Sequence, residues 1–579
     1  MENATTLNET EIKFKLTDYS LFIVTLASSA LIGIYFGVKG RKKQSSANDY
    51  FLGNKSMHSF PIALSLISCN ISGITMIAIP TDVYRFGAHF WMAAVATQMC
   101  IFVGYFITIP IFFNLGVSST FEYLEMRFSA KLRRFASALY TFNMFSYLPI
   151  VVYVPALVLS QVTGFSIHII TVSVCAVCIF YTTIGGIKAV VWTDALQSIV
   201  MIGSVIAIVV IGTDNSGGVK QVIEECKKGD LFEIDYRMDP TIRDTVWSLA
   251  ASMFYWLNFI AVGQSSVQKC LALPTFKEIK KAFYIVGIGL GVILYGSVYI
   301  GLLIYDKYNK CDPLLTKKIQ VADQILPYYV LDVINKVPGL GGLFIASIFS
   351  GGISTLSAAM NALSCTIYND FIAVYMPIDY PQEKVGNILK LTVVLVGVIC
   401  TVLVFIIEQL GSILPLAISL PSISAGPLVG LFLMGMLVPT INSKGALYGC
   451  ISSVVLLILM VLGSFYYKMQ KLITFETKPT STESCSTPFN VTTPIHPETD
   501  WKPFYLFRIS FYYYSLIGVC TVFFVGWIVS YFSKADQKQV QKKLISPLMH
   551  WAMSDDLLPP TYNDVKENLE LMEEITEKQ

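Results

Sequence analysis

Thirteen apolar runs, each long enough to cross a membrane, divide the chain and leave few ways for it to fold. The hydrocarbon core of a bilayer is about 30 Å thick, and a helix needs about 20 residues to cross it. Backbone groups in lipid must be paired within the segment, so runs of this length cross as helices. The predicted spans, numbered 1 to 13 in chain order, are 19–38, 58–80, 89–112, 135–162, 166–184, 190–212, 244–267, 282–305, 342–370, 387–408, 411–437, 445–466 and 508–532.

The composition agrees with a membrane protein and argues against several classes of function. Charged residues make up 14% of the chain, against about 25% in soluble domains. A net charge of +2 argues against nucleic acid as a partner. The five histidines are scattered and no carboxylates are paired at mid-depth, so we expect no enzyme activity. Residues 1–18 are polar and the first apolar run is long enough to span, which predicts no cleavable signal peptide.

Clusters of basic residues predict the orientation. Each of four clusters follows an odd-numbered span, namely span 1, 3, 7 or 13. Because cytoplasmic loops are enriched in Lys and Arg, we expect an extracellular N-terminus and a cytoplasmic C-terminus. The expected location of the protein is the plasma membrane. The clusters are Lys39, Arg41, Lys42 and Lys43; Arg127, Lys131, Arg133 and Arg134; Lys269, Lys277, Lys280 and Lys281; and Lys534, Lys538, Lys542 and Lys543.

Sequons and loop cysteines agree with this orientation. The sequons at Asn3, Asn8 and Asn490 lie on the predicted outer side, where we expect glycosylation, whereas that at Asn54 lies inside and is expected to be unused. Three cysteines fall in outer loops, an oxidising compartment in which two of them could pair. They are Cys226, Cys311 and Cys485.

Span 9 is unusually rich in small and polar residues for a membrane helix. Its middle contains Gly351, Ser354, Thr355 and Ser357, and its only charge is Asp370 at the end. Such residues can serve as packing contacts between helices. They could also hold a hard cation such as Na⁺, which prefers several neutral or weakly charged oxygens. Both interpretations are open on composition alone.

Span 2 has the composition of a discontinuous helix. Ser68, Asn70, Ser72, Gly73 and Thr75 crowd its centre. Broken backbone at mid-membrane is tolerated only where it lines a cavity or is buried in protein. Counted in residues from the predicted cytoplasmic side, this cluster and the cluster of span 9 lie at about the same depth in the membrane. Packing alone does not require this coincidence, so it favours the cation interpretation.

Span 7 is a second interrupted helix by the same criterion. Asn258, Gly263, Gln264 and Ser265 interrupt its apolar sequence. Spans 2 and 7 therefore open two successive groups of five spans, 2–6 and 7–11. This is the pattern of an inverted-repeat transporter, which places substrate and ions at the broken helices.

Asp194 opens span 6 near the inner membrane face. An acid there is costly unless it is paired or solvated. We favour a pair with Lys188 or another cytoplasmic base over a role in ion handling.

The cytoplasmic tail contains a PPxY pattern, in which Pro559 and Pro560 precede Tyr562. Proline-rich ligands bind WW domains in a preformed polyproline conformation. A WW-domain ubiquitin ligase is therefore a candidate partner.

Five motifs are spread over spans 2 to 9. They are SCNIS (68–72), PTDVYRFG (80–87), GGIKAVVWTDALQ (185–197), GQSSVQKCLALP (263–274) and SGGISTLSAAMNAL (350–363). With the span count, these motifs make the chain resemble the sodium:solute symporter family, in particular its animal sodium/glucose-cotransporter branch. Within that branch, the second and fifth motifs look more like the monocarboxylate, multivitamin and iodide carriers than the sugar carriers.

The resemblance implies an all-α polytopic membrane protein with a five-plus-five inverted-repeat core of the LeuT type, one extra helix before it and two after. The expected segments are an extracellular N-terminus 1–18, the first helix and a cytoplasmic loop 19–57, the first repeat 58–212, an extracellular loop 213–243, the second repeat 244–437, two further helices 438–533 with an extracellular loop 468–507, and a cytoplasmic tail 534–579.

The resemblance also implies a sodium site between spans 2 and 9, which decides for the cation interpretation of both polar clusters. Asp194 matches an acid that the family links to cation-dependent gating. Carried over by position, the sodium ligands are the carbonyls of Ser68, Ile71 and Gly351 and the hydroxyls of Ser354 and Thr355.

The expected substrate follows from two departures from the sugar carriers. They place a Gln or His where this chain has Thr75, and an acid near the start of span 3, where this chain has Phe90. No membrane-embedded acid is evident to neutralise a cation such as choline, so a small organic anion fits best, helped by helix N-termini. The candidate substrate-binding residues are Asn70, Thr75, Phe90, Gln98, Trp256 and Asn258.

The expected function is sodium-coupled import of a small organic anion, a monocarboxylate or a vitamin-like molecule, by alternating access, with Na⁺ as the cotransported ion. Two alternatives stay open. One is a sodium symporter for another solute, namely iodide, a sugar or choline. The other is a sensor that keeps the sodium ligands and signals without transporting.

Overall fold

The structure is a computed structural model that describes residues 16–40, 55–334, 337–377, 381–407, 413–485, 501–533 and 540–552. The regular structure of these residues is helical. Several sequence predictions concern residues outside these ranges. They are the glycosylation sites Asn3, Asn8 and Asn490, the sequon at Asn54, and the PPxY of Pro559, Pro560 and Tyr562.

Eleven helices of the described residues are long and apolar enough to cross a membrane, and two bent helix pairs raise the number of spans to thirteen. The predicted number of spans and the all-α membrane class are therefore confirmed. In order, the spans are Leu16–Gly40, Ser59–Asn70 with Gly73–Phe86, Ala88–Leu115, Ala130–Thr163, Ile167–Ile184, Gly186–Asn215, Val246–Ile260 with Gln264–Leu271, Phe276–Tyr308, Leu340–Tyr375, Lys384–Ile406, Ile413–Leu437, Ser443–Met469 and Phe511–Phe532.

The two bent pairs are spans 2 and 7, as predicted. The halves of span 2 meet at 54° and those of span 7 at 53°. In span 2, Ile71 and Ser72 have extended backbone between the two halves, with ψ of 116° and 171°. In span 7, Gly263 has ψ of 130° just before the second half begins. Extended residues cannot continue the helical hydrogen-bond ladder, so each helix is interrupted within the membrane.

Span 9 lies at the centre of the bundle. Its most apolar 18-residue window is 94% buried, which leaves almost no surface for lipid. Small residues allow the close approach of its neighbours. A Cβ on Gly351 would lie 2.9 Å from the backbone nitrogen of Gly73 in span 2, and one on Gly352 would lie 2.8 Å from the ring of Pro155 in span 4. The crowding of small residues noted in the sequence therefore serves packing as well as any ion.

Spans 12 and 13 pack against span 11, outside the two five-span repeats. The contact between spans 11 and 13 is made by glycines, since a Cβ on Gly426 would lie 3.2 Å from the Cα of Gly518. Gly449 of span 12 approaches Gly526 of span 13 to a similar distance. These contacts pack the last two helices against span 11 and against each other.

One disulfide joins two loops on the predicted outer side. Cys311, which follows span 8, is bonded to Cys485, which follows span 12. Cys226 is reduced and buried in the helix Val219–Lys228, where its thiol donates to the carbonyl of Leu302. The sequence allowed any two of these three cysteines to pair, and the structure selects this pair.

We expect Cys311→Ser, Cys485→Ser and the double variant to lower thermal stability by the same amount, because each removes the same cross-link. The loss should be about 2–4 kcal/mol. The measurement is the melting temperature of the purified protein. Cys520→Ser is the control, since this cysteine is exposed and reduced. A double variant clearly less stable than either single variant would contradict the pairing.

Candidate functional site

The break in span 2 faces the polar face of span 9. The hydroxyl of Ser68 donates to the hydroxyl of Ser354 over 2.5 Å, and both side chains are buried. Thr355 donates its hydroxyl to the carbonyl of Gly351 over 2.9 Å. Gly351 itself lies against the backbone of Ser72 and Gly73. The structure therefore brings the five candidate sodium residues together at one break.

The chemistry of this group suits a small hard cation. The first half of span 2 ends at Asn70 and Ile71 is extended, so the last carbonyls of that half lack the usual helical amides. These carbonyls carry the partial negative charge of a helix C-terminus. Together with two hydroxyls from span 9 they offer neutral oxygens, which Na⁺ can bind without a buried carboxylate.

Asp194 forms a buried ion pair with Lys269. The Lys269 ammonium lies 2.9 Å from the Asp194 carboxylate and donates to the carbonyl of Ser65 over 3.2 Å. The hydroxyl of Ser65 donates to the same carboxylate oxygen over 2.7 Å. The pair expected between Asp194 and a cytoplasmic base is present, and Lys269 rather than Lys188 is that base.

This ion pair connects three spans on the side of the breaks that is predicted to face the cytoplasm. Ser65 belongs to the first half of span 2, Asp194 to span 6 and Lys269 to the second half of span 7. The other Asp194 oxygen is buried and has no hydrogen-bond partner among the described residues. Loss of this ion pair would therefore remove contacts of both broken spans.

A second contact holds the second half of span 7, which begins at Gln264. The side-chain oxygen of Gln264 accepts from the backbone amide of Thr120 over 2.7 Å, and its amide nitrogen donates to the carbonyl of Ser118 over 3.1 Å. Thr120 begins the short helix Thr120–Arg127 between spans 3 and 4. Both contacts must break if the two segments separate.

A cavity of about 30 Å³ lies between the two breaks. Asn70 and Asn258 line it together with Ser266 and Thr355. Asn70 donates its side-chain amide to the carbonyl of Leu66 over 2.8 Å and to the hydroxyl of Ser266 over 3.4 Å. This volume has room for about one water molecule. Two of the six candidate substrate residues therefore line a common cavity with a candidate sodium ligand.

The other four candidate substrate residues do not line this cavity. The side-chain amide of Gln98 lies against span 8, 3.4 Å from the position of a Cβ on Gly287. The ring of Trp256 packs edge-on against Tyr255, with centroids 5.6 Å apart. Thr75 and Phe90 are buried. Substrate contact by these four residues stays a prediction.

A much larger cavity, of about 650 Å³, lies at the ends of the broken spans that point away from the Asp194–Lys269 pair. The ends of spans 2 and 12, the start of span 11 and the adjoining loops line it. Arg243 is buried at its wall between the carboxylates of Asp82 and Asp244, the latter at 2.6 Å. Burial alone would lower the pKa of Arg243, but Asp244 and Asp82 outweigh it and raise that pKa. Arg243 therefore stays charged.

Sequence reasoning missed three of these residues as parts of the site. Lys269 was used as a marker of orientation and Gln264 as an interruption of span 7, both within the motif 263–274, and Arg243 was not singled out. A signal was present for each, because a charged or amide side chain beside an apolar run costs free energy unless it has a partner. The sequence did not reveal the partners.

Comparisons with known proteins show which family the chain is similar to. The family model described as "Sodium:solute symporter family" matches residues 50–453. Sodium-coupled monocarboxylate transporter 2 of Mus musculus is 35% identical over 542 residues, covering 92% of this chain and 87% of the relative. Sodium-coupled monocarboxylate transporter 1 of Xenopus laevis is 34% identical over 554 residues, with 92% and 88% covered. The sodium-dependent multivitamin transporter of Oryctolagus cuniculus is 32% identical over 528 residues, with 89% and 82% covered.

A solved structure shares the fold. It is the substrate-bound, outward-open state of a Na⁺-coupled sialic acid symporter, with a TM-score of 0.72 and 22% identity. The alignment covers 90% of this chain and 98% of that one. At this identity the likeness establishes the fold, and the site rests on the contacts described above.

Proposed function

Because the chain belongs to the sodium:solute symporter family, we propose that it imports a small organic anion together with sodium. Within this proposal the protein is a transporter and not an enzyme. The named activities of its relatives, monocarboxylate and multivitamin transport, support an organic carboxylate as the substrate.

The main observation in support of the proposal is that the broken spans 2 and 7 lie next to span 9, which is rich in hydroxyl groups. The contact of Ser68 with Ser354 joins span 2 to span 9 at the place where helical carbonyls are released. In a transporter of this design, sodium bound there would hold the two spans together. We propose that Ser68, Ile71, Gly351, Ser354 and Thr355 bind this sodium.

The residues around the cavity between the breaks support an anionic substrate. The lining of this cavity contains amides and hydroxyls from Asn70, Asn258 and Ser266, and none of its lining residues is acidic. Gln264, the first residue of the second half of span 7, lines it, and the second half of span 2 begins at Gly73, three residues after Asn70. The N-terminus of a helix carries partial positive charge and favours an anion. A carboxylate or similar monoanion suits this environment better than a cation.

The two cavities suggest how access alternates. The cavity of about 650 Å³ is on the predicted outer side, whereas the contacts of Lys269 and Gln264 close the inner side. We propose that sodium and substrate enter from outside and that release requires the inner contacts to separate. Asp194 acts as the gating residue in this proposal. The membrane potential supplies about 2.3 kcal/mol per charge per 100 mV.

Location and a tail partner belong to the proposal as well. We place the protein in the plasma membrane, and the basic clusters support an extracellular N-terminus and a cytoplasmic C-terminus. In that orientation the PPxY at Pro559, Pro560 and Tyr562 would be available to a cytoplasmic WW-domain ubiquitin ligase. Loss of binding of the tail to a WW domain after Tyr562→Ala would support this partner, and unchanged binding would contradict it.

The proposed function predicts saturable, sodium-dependent uptake of an organic anion in oocytes that express the chain. Labelled pyruvate, lactate, biotin, iodide and glucose are compared, with sodium replaced by a large organic cation as the control. We expect accumulation of at least one carboxylate in sodium and uptake at the level of uninjected oocytes without it. Uptake of glucose alone would contradict the substrate class. Substrate-evoked current without accumulation would favour a sensor.

A further inference from the structure

The last described residues of the chain fold back onto the bundle of helices. Residues 540–552, the tail segment, form two short helices with a turn between them. This turn is buried, since Leu544, Ile545 and Ser546 are exposed by 3% or less. The ring nitrogen Nε2 of His550 lies 3.2 Å from two backbone carbonyl oxygens of the same segment. The tail segment is therefore a folded element that is anchored by its central residues.

Two hydrogen bonds attach the tail segment to the rest of the protein. The hydroxyl of Tyr123 donates to the carbonyl of Leu544 over 3.1 Å, and the amide of Ser546 donates to the carbonyl of Met436 over 2.9 Å. Tyr123 belongs to the helix Thr120–Arg127, and Met436 lies at the end of span 11. The start of the tail segment also packs against the last turns of span 3. The tail segment therefore connects three elements that are far apart in the chain.

The same three elements also meet in a buried aromatic cluster. It consists of Phe112 in span 3, Tyr123 in the helix Thr120–Arg127 and Phe432 in span 11, whose ring centroids are 6.0–6.1 Å apart. Arg127 donates to carbonyls at the end of span 11 over 3.0 and 3.1 Å, which fixes the helix to that span. The rings and the tail segment therefore join span 3 to a unit formed by this helix and span 11.

This junction is connected to the broken span 7. The hydroxyl of Thr108 in span 3 donates to the carbonyl of Ala261, at the interruption of span 7, over 2.7 Å. Gln264, at the start of the second half of span 7, is bonded to the helix Thr120–Arg127 and its preceding residues. If span 7 separates from that helix, span 3 would therefore move with it and lose its contacts with the tail segment.

We infer that the tail segment is a regulatory element that stabilises the closed state of the inner side, by joining span 3 to the helix Thr120–Arg127 and to span 11. A contact that is made in one of two states shifts the equilibrium toward that state. Release of the tail segment should therefore favour opening of the inner side. Its effect on uptake rests on the proposed transport function, whereas its docking and its effect on access from the inner side do not.

Hydrogen exchange of the purified full-length protein in nanodiscs tests whether the tail segment is docked. Buried, hydrogen-bonded backbone exchanges slowly, and a released segment exchanges fast. We expect residues 540–552 to be protected in the parent and to lose protection in Leu544→Asp, which places a charge at a buried position. Leu548→Asp is the matched control, because Leu548 belongs to the same segment and is 56% exposed. Fast exchange of the segment in the parent would overturn the inference.

The reactivity of Cys69 tests whether docking keeps the inner side closed. Cys69 lines the cavity between the breaks, so a membrane-impermeant maleimide reaches it from the predicted cytoplasmic side when that side opens. Inside-out vesicles are labelled at a fixed sodium concentration, and mass spectrometry measures the peptide that contains Cys69. We expect Leu544→Asp to raise the labelling rate several-fold over both the parent and Leu548→Asp. A released tail segment with an unchanged labelling rate would overturn the inference.

A milder variant keeps the test decisive if Leu544→Asp does not reach the membrane. Ile545→Ala shortens a side chain that is 1% exposed and adds no charge. We expect a smaller effect in the same direction, namely faster exchange of the tail segment together with faster labelling of Cys69. Faster exchange without faster labelling would overturn the inference in this variant as well.

Uptake separates this inference from the proposed function. The apparent affinity for a ligand falls with the fraction of protein in the binding-competent state, so the half-saturating concentration of external sodium should rise several-fold in Leu544→Asp. Faster labelling of Cys69 in a protein that transports nothing would support the role of the tail segment and overturn the transport proposal. Normal uptake and unchanged labelling in a variant with a released segment would leave the transport proposal intact and overturn this inference.

Discussion

Thr355→Ala is expected to abolish sodium-driven uptake while the protein still folds and reaches the cell surface. The substitution removes one proposed sodium ligand at the break of span 2 and leaves the backbone of span 9 unchanged. A contact between a hydroxyl and a charged group contributes about 1.5–3 kcal/mol, which corresponds to about a 10- to 100-fold loss of sodium affinity. The measurements are uptake against sodium concentration and surface biotinylation in the same oocytes.

Thr366→Ala is the matched control. Thr366 lies on the same span, is buried, and donates its hydroxyl to the carbonyl of Ala362 over 3.1 Å, as Thr355 does to Gly351 over 2.9 Å. It lies eleven residues away from the proposed sodium site. We expect it to transport with near-normal sodium dependence. Normal sodium dependence in Thr355→Ala, at normal surface amounts, would remove Thr355 from the sodium site.

Lys269→Met is expected to have the largest effect on folding. It leaves the carboxylate of Asp194 buried without the ammonium that lies 2.9 Å away. Removal of one partner of a buried ion pair costs about 3–5 kcal/mol, a large part of the about 5–15 kcal/mol that stabilises a typical protein. We expect little protein at the surface and a strongly lowered melting temperature of what can be purified.

The double variant Asp194→Asn with Lys269→Met distinguishes folding from gating. It replaces both charges with neutral side chains, which is often tolerated at buried ion pairs, so surface amounts should recover. If Asp194 is the gating residue, sodium-driven uptake should remain low in this well-folded variant. Lys281→Met, in an exposed pair with Glu278, is the control and should change neither property. Full recovery of uptake in the double variant would assign the pair a structural role only.

The interruptions of spans 2 and 7 could be predicted from local composition. Polar residues and glycines in the middle of spans 2 and 7 indicated interruptions, and the structure has bends of 54° and 53° at those places. This prediction succeeds because a helix in lipid has no reason to contain such residues unless its backbone is broken or buried in protein. The placement of Ser354 and Thr355 at the depth of the first break followed from counting residues along two helices of known rise.

The partners of charged side chains could not be predicted in the same way. Asp194 is close in sequence to Lys188, yet its partner is Lys269, 75 residues further along the chain. The disulfide joins cysteines 174 residues apart. The partner of a charged side chain or a cysteine depends on which helix ends are close together in the folded bundle. A single sequence contains no periodic signal that shows which helix ends these are.

The sequence alone therefore determined the membrane class, the number and approximate positions of the spans, the two breaks and the family resemblance. Each depends on hydrophobicity, helix length or residue order, which are properties of contiguous segments. Tertiary structure decided the Lys269 pair, the Gln264 contact, the disulfide and the cavity at the ends of spans 2 and 12. Each of these depends on distances between segments far apart in the chain, because electrostatic and hydrogen-bond partners are set by packing and not by sequence separation.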